Sequence, residues 1–156
     1  MHIRLIAVGD RQPSWVDSAF ENYLQRLPRQ WQFRLDLVAT ARRSKNCSAE
    51  TAKIAEGNKV LAKIKASDYV VVLDERGKEF SSLELATRLD DWQSNGRDLT
   101  FVIGGPDGIS EDCMGRADLR WSMSRLTLPH GLARVLFAEQ LYRAWSLTAG
   151  HPYHRS

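Results

Sequence analysis

Apolar runs and helical periodicities alternate along the chain almost from its first residue. Ile3–Val8 is a compact apolar strand that stops at Gly9. Pro13-Ser14 opens a helix in which Val16, Phe20, Tyr23 and Leu27 recur at the 3.6-residue period, and Pro28 closes it. Phe33–Val38 alternates, with Phe33, Leu35 and Leu37 on one face and Arg34 and Asp36 on the other, which predicts an edge strand with one wetted side. Residues 40–48 (TARRSKNCS) form a polar, basic loop. A helix is expected over 49–66, although Gly57 and Asn58 interrupt it and the glycine alone costs ~1 kcal/mol.

Tyr69–Leu73 (YVVVL) is a β-branched run of the kind buried on both faces of a parallel sheet, and is expected at its centre. Ser81-x-x-Glu84 is a capping box, and the helix after it should bury Leu85, Leu89 and Trp92 before stopping near Gly96. Leu99–Ile103 is a second fully apolar strand, running into Gly104-Gly105-Pro106-Asp107-Gly108. A short helical turn around 110–117 precedes Leu119–Met123, which alternates, and then Leu126–Pro129. The last helix, about Leu132 to Thr148, carries Leu132, Val135, Leu136, Leu141 and Trp145 inward and pairs Glu139 with Arg143 at the favoured i, i+4 order. The pattern predicts one α/β domain over residues 1–156, with a mostly parallel sheet of about five strands and helices on both faces.

Composition narrows the class. A chain of 156 residues and 17.7 kDa with 43% apolar content can build one real core, and no apolar stretch reaches the ~20 residues of a membrane span. The opening MHIRLIAVGD has too short an apolar run for a signal peptide, so a cytosolic location is expected. Cys47 and Cys113 lack C-x-x-C spacing, which excludes a disulfide framework or a thiolate zinc site. The net charge of +3 is unevenly spread: both ends are basic, the middle is acidic, and from residue 116 onward every basic side chain is an arginine. Arginine's planar fork suits phosphate, so this segment fits a polyanionic partner; a solvated surface with helix ion pairs is the other reading of the same charges.

In sheets of this kind ligands bind beyond the carboxyl ends of the strands, which directs attention to the loops starting at Gly9, Asp74, Gly104 and Ser124. A phosphate-gripping P-loop fails there: Gly77-Lys78 supplies its pair, but Val72 stands where the first glycine belongs and Glu79 where the hydroxyl belongs. The dinucleotide fingerprint G-x-G-x-x-G is absent, and Gly108-Ile109-Ser110-Glu111-Asp112 lacks the last glycine of a nucleophile elbow. What survives is the loop 104–108, open to two readings. Adjacent glycines allow a nucleoside to approach peptide N–H and C=O groups, or the loop is a tight turn set by Pro106.

The tail His151-Pro152-Tyr153-His154-Arg155 gathers two imidazoles, a phenol and a guanidinium behind Gly150. It either offers Tyr153, His154 and Arg155 to an anionic, aromatic substrate or is an unfunctional terminus. A metal held by His151 and His154 lacks a third ligand nearby in sequence, so none is expected. His2, at the start of a strand, reads as structural, and His130, after Pro129, as a helix-start residue.

Three blocks in order, with the tail, resemble one family. Leu73-Asp74 with Gly77-Lys78 and Ser81-Ser82 is the first, and Ile103-Gly104-Gly105-Pro106-Asp107-Gly108 the second. The third runs from Leu126-Thr127-Leu128-Pro129-His130 through Arg134 and Glu139-Gln140-Leu141-Tyr142-Arg143-Ala144, with Pro152-Tyr153-His154-Arg155 closing the chain. Together they are similar to the small bacterial SPOUT methyltransferases that modify 23S ribosomal RNA at N3 of a pseudouridine, over nearly the whole length. The resemblance implies a C-terminal trefoil knot, an exception to the rule that chains avoid knots. It implies S-adenosyl-L-methionine as cofactor, touching Leu73, Gly104, Gly105 and the run Met123, Ser124, Arg125, Leu126, Thr127 and Leu128. It implies a homodimer with the last helix at the subunit contact, and a tail, 151–156, in which Tyr153, His154 and Arg155 help complete the active site of the other subunit. The substrate implied is 23S rRNA within the assembled 70S ribosome, with no membrane and no metal involved.

Two other classes remain in view: a flavodoxin-like nucleotide-binding module, whose phosphate loop near Gly9 is missing, and a non-catalytic RNA-binding subunit that has lost its cofactor. The acidic middle, centred on Asp74-Glu75 and Asp90-Asp91, is expected to face away from RNA.

Overall fold

The computed structural model describes residues 1–9 and 11–155; Asp10 and Ser156, the last residue of the expected tail, lie outside the described residues. Five parallel strands form one sheet: β1 (Ile3–Val8), β2 (Arg34–Val38), β3 (Tyr69–Glu79), β4 (Leu99–Ile103) and β5 (Leu119–Ser122), in the order β2-β1-β4-β3-β5. The helices are α1 (Ser14–Leu24), α2 (Ala49–Lys63), α3 (Ser82–Asn95), α4 (Glu111–Arg116) and α5 (His130–Ala149), with short 3-10 turns at Arg29–Trp31 and Pro152–Arg155. The α/β alternation and the edge position of β2 stand as the sequence predicts. The centre belongs to β4 rather than to Tyr69–Leu73, because β4 is flanked on both sides by strands that themselves have outer neighbours.

Strand alternation divides the core into two unlike halves. Ile3, Leu5, Ala7, Val71, Phe101 and Ile103 meet α1, α3 and α5 through Phe20, Leu85, Leu89, Trp92, Phe137 and Leu141. The opposite pleat positions, Ile6, Val8, Val70, Val72 and Val102, meet α2 and α4 through Val60 and Cys113. One half is aromatic and the other is built from small aliphatic side chains.

Three sequence expectations need correcting. β3 does not stop at Leu73 but continues to Glu79, and Leu73 and Lys78 both oppose Trp121 across a register shift. Gly77 permits this, since a Cβ there would lie 2.7 Å from the Arg120 carbonyl carbon, so the glycine marks a close backbone approach and not a phosphate grip. After β5 the chain turns: the Ser122 hydroxyl donates to the Ser124 carbonyl at 2.9 Å and Ser124 Oγ accepts from the Leu126 N–H at 2.9 Å. The helix over 49–66 ends at Lys63, with Ile64 already extended. In α5 the buried stripe is Gly131, Arg134, Phe137, Ala138, Leu141 and Tyr142, whereas Leu132 is 43% exposed and Val135, Leu136 and Trp145 are half-buried.

The capping box at Ser81 is present in full, with Glu84 N–H donating to Ser81 Oγ at 3.0 Å and Ser81 N–H to Glu84 at 3.4 Å. Gly57, mid-helix, is explained by packing: a Cβ there would sit 2.2 Å from Ser110 Oγ and 2.9 Å from Ser110 Cβ. The steric cost of overpacking, ~1–3 kcal/mol, exceeds the ~1 kcal/mol of helix propensity that alanine would add. Gly57→Ala is therefore expected to destabilise the protein, checked by urea denaturation followed by far-ultraviolet circular dichroism.

Candidate active site

The carboxyl ends of β1, β3 and β4, the segment after β5 and the start of α5 surround a cleft of about 750 Å³. Leu73, Gly104, Gly105, Met123, Ser124, Leu126, Thr127 and Leu128, eight of the nine residues expected at the cofactor, line it. Arg125 does not; its exposed side chain turns away to Glu79 at 3.2 Å. The walls are largely apolar side chains and the peptide groups of the loop 104–108, where the Gly108 N–H donates to the Gly105 carbonyl at 3.0 Å. A Cβ on Gly104 would meet Ile109 Cγ1 at 2.5 Å and the Gly108 carbonyl at 2.9 Å, so this loop closes only around a bare backbone.

Two tethers fix the cleft's rim. Thr127 Oγ1 donates to Glu75 at 3.0 Å, joining the segment after β5 to the residues beyond Leu73. Arg43, from the basic loop, bonds the buried Glu56 of α2 at 2.8 Å and Asp107 of the glycine loop at 2.7 Å. The acidic pair Asp74-Glu75 lines the mouth, and Arg11 is the one arginine in the lining among the described residues. No group of three or more metal-ligating side chains occurs among the described residues.

His130, read from sequence as a helix-start residue, is the first residue of α5 and is also a wall of the cleft. Its Nδ1 lies 3.2 Å from the Gly104 carbonyl and its Nε2 is 2.8 Å from Nη2 of Arg134, one helical turn on. Burial, and then the charge of Arg134, lowers its pKa from the ordinary 6.5 against the opposing pull of the Gly104 bond. Gly131, next in sequence, leaves no room for a side chain, since a Cβ would lie 2.7 Å from Gln12 Oε1 and 2.9 Å from Val16 Cγ2. Sequence reasoning missed His130 and Arg134 as a pair, and their i, i+4 spacing was the available signal.

The tail sits elsewhere. Tyr153 packs on Tyr142 with ring centroids 4.6 Å apart, and its hydroxyl lies 3.2 Å from Glu139 Oε1 and 3.4 Å from the Tyr23 hydroxyl. Burial, with the neighbouring Tyr23 and Glu139, pushes the Tyr153 phenol above its ordinary value. Arg143 bonds Glu139 at 2.7 Å and lies 5.2 Å from the Tyr153 ring. His154 Nδ1 is buried with no hydrogen-bond partner, and Arg155 is exposed. None of these tail residues lines the cleft, because the 20 residues of α5, about 30 Å of helix, separate His130 from the tail.

The family model described as "predicted SPOUT methyltransferase" matches residues 1–154. Proteins named "Ribosomal RNA large subunit methyltransferase H" are similar over almost their full length. The one from Thioalkalivibrio sulfidiphilus is 52% identical over 157 residues, covering 99% of each chain. Those from Hahella chejuensis and Methylococcus capsulatus are 45% and 46% identical over 155 residues, covering 99% of this chain and 99% and 100% of theirs. The chain belongs to the SPOUT methyltransferase family. SPOUT methyltransferases use S-adenosylmethionine, and a cleft walled by apolar side chains and main-chain groups suits a purine-bearing sulfonium better than a polyphosphate.

A histidine held neutral by the fold but free to protonate when unfolded lowers stability as pH falls. The penalty is absent well above the unfolded value of 6.5 and grows below it. Urea denaturation of wild type and His130→Gln at pH 7 and pH 5 is expected to show the larger acid loss in wild type.

Proposed function

We propose that this chain transfers the methyl group of S-adenosyl-L-methionine to N3 of a pseudouridine in 23S rRNA, acting in the cytosol as a homodimer on the assembled 70S ribosome. The observation that carries the reading is the coincidence of the expected donor contacts, Leu73, Gly104, Gly105, Met123, Ser124 and Leu126–Leu128, around one cleft. The relatives' shared name supplies the large-subunit ribosomal RNA. Bound there, S-adenosylmethionine supplies a methyl group made electrophilic by its sulfonium. The chain's part is to hold the purine on peptide groups, cover it with Leu73, Met123 and Leu128, and exclude water. Arg125, outside the lining and exposed, can exchange its surface ion pair with Glu79 for an RNA phosphate.

The distance between cleft and tail supports the dimer. A tail about 30 Å from its own cleft serves catalysis only at the cleft of a second copy. The outward stripe of α5, with Leu132 43% exposed and Val135 and Leu136 half-buried, supplies an apolar face for that copy. At such a shared site Tyr153, whose phenol holds its proton more tightly than usual, serves as a hydrogen-bond donor, and the neighbouring His154 is the side chain assigned to assist loss of the N3 proton. Arg155, exposed beside them, faces the RNA. The segment 123–128 returns past Glu75 beyond Leu73 and past Gly104 after β4 to reach α5, a path that supports the C-terminal trefoil knot.

Labelled S-adenosylmethionine incubated with 70S ribosomes, separated subunits or naked RNA should deliver label to RNA in assembled ribosomes alone. Label in none of them, together with calorimetry showing no donor binding, would favour a non-catalytic or flavodoxin-like module. Gly104→Val, which forces the glycine loop open, is expected to weaken donor binding at least about tenfold. Mixed with chains ending at Gly150, themselves inactive, it should regain methylation by forming heterodimers with one intact site.

A further inference from the structure

Arg134 is 2% exposed and among the largest side chains fully buried in the protein. Among the described residues no carboxylate lies within ion-pair distance of it, and its Nε has no hydrogen-bond partner. A buried guanidinium without a carboxylate is costly, and a methionine or leucine would fill the same volume without that cost. Its hydrogen bond goes to Nε2 of His130, at 2.8 Å.

The protons on this chain of contacts have one consistent arrangement. A guanidinium can only donate, so Nε2 of His130 must present its lone pair. A carbonyl can only accept, so Nδ1, 3.2 Å from the Gly104 oxygen, must carry the hydrogen. The ring is thus neutral and in a single tautomer. Gly9 leaves the space it occupies, since a Cβ there would lie 2.9 Å from Nε2. Because the peptide unit is planar, fixing the Gly104 carbonyl also fixes the direction of the Gly105 N–H.

We propose that Arg134 is a positioning residue of the methyl-donor site: by donating to Nε2 it holds His130 as the Nδ1–H tautomer, and His130 in turn pins the Gly104–Gly105 peptide in the orientation the donor meets. The last link, contact between that peptide and S-adenosylmethionine, rests on the function proposed above; the hydrogen-bond chain does not. Among the described residues the charged groups around the imidazole are Arg134 on its own helix, Asp17 of α1 acting on Arg134, and Arg11, Asp74, Glu75 and Asp107 in the same cleft.

The test is long-range nitrogen–proton NMR of histidine-labelled protein at neutral pH, with calorimetric titration of S-adenosylmethionine alongside. Wild-type His130, assigned by loss of its signals in His130→Gln, is expected to show a protonated Nδ1 and a bare Nε2. Arg134→Met is expected to lose the single-tautomer signature and bind donor about tenfold more weakly, with Arg134→Lys, which keeps a donor, recovering part of both. A wild-type ring carrying its hydrogen on Nε2, or doubly protonated, overturns the inference without recourse to any variant. So does a folded Arg134→Met with unchanged tautomer and unchanged affinity. Should Arg134→Met fail to fold, Arg134→Lys decides: a ring that still carries its hydrogen on Nδ1 supports the proposal, and one that does not overturns it. Wild type that binds no S-adenosylmethionine overturns the reading of the cleft, while the tautomer still decides the role of Arg134.

Discussion

Phe137 seats the last helix. Its ring meets Phe101 of the central strand edge-on, at 4.8 Å and 60°, and Trp121 of the edge strand lies 6.4 Å away. Edge-to-face pairs of this kind add ~0.5–1.5 kcal/mol to the burial of the rings themselves. With α5 anchored at its middle, both of its ends are placed: His130 arrives at the mouth of the sheet, and Tyr153 is carried to the aromatic cluster of Tyr23 and Tyr142 on the far side. The helix acts as a beam between two chemically different sites.

The amino ends of the strands are held by charge. Asp68, 1% exposed, sits just before β3 and accepts from Arg4 at 3.1 Å, the Lys65 N–H at 2.9 Å and the Thr100 hydroxyl at 3.3 Å, while its carbonyl accepts from Arg97 and Arg116. Cations are thus spent on structure at the amino ends of the strands. At the carboxyl ends the chain uses bare backbone, and the carboxylates there fall into two groups. Glu56 and Asp107 are committed to Arg43, whereas Asp74 and Glu75 line the opening. Asp74 and Glu75 border the cleft, where negative charge complements a sulfonium rather than a phosphate.

Much of the fold was legible because it is written in short-range pattern. The β-branched runs, the capping box at Ser81 and the glycine after Asn95 each specify local geometry with few competing solutions. What escaped was decided by contacts between distant segments. Gly77 reads as half of a phosphate loop until β5 is laid against it, and Gly57 reads as a helix breaker until Ser110 fills the space above it. The apolar period of α5 gave a mixed stripe, right for Leu141 and wrong for Leu132, because the helix has two apolar faces, one covering the sheet and one open, and periodicity alone cannot rank them. In the cleft, glycine-loop and Leu126–Leu128 positions were visible through family resemblance; His130 was passed over because one imidazole after a proline has an ordinary explanation until its two nitrogens are seen to be engaged from opposite sides.

The unequal halves of the core also determine what light can report about this molecule. Of the five tryptophans, Trp31, Trp92 and Trp121 are buried in the aromatic half, Trp145 packs against it and Trp15 lies on α1 of the same layer. The aliphatic half under α2 and α4 contains none. Intrinsic fluorescence therefore views the protein from one side only, and a loosening confined to the layer that braces Glu56 and the glycine loop would pass in the dark.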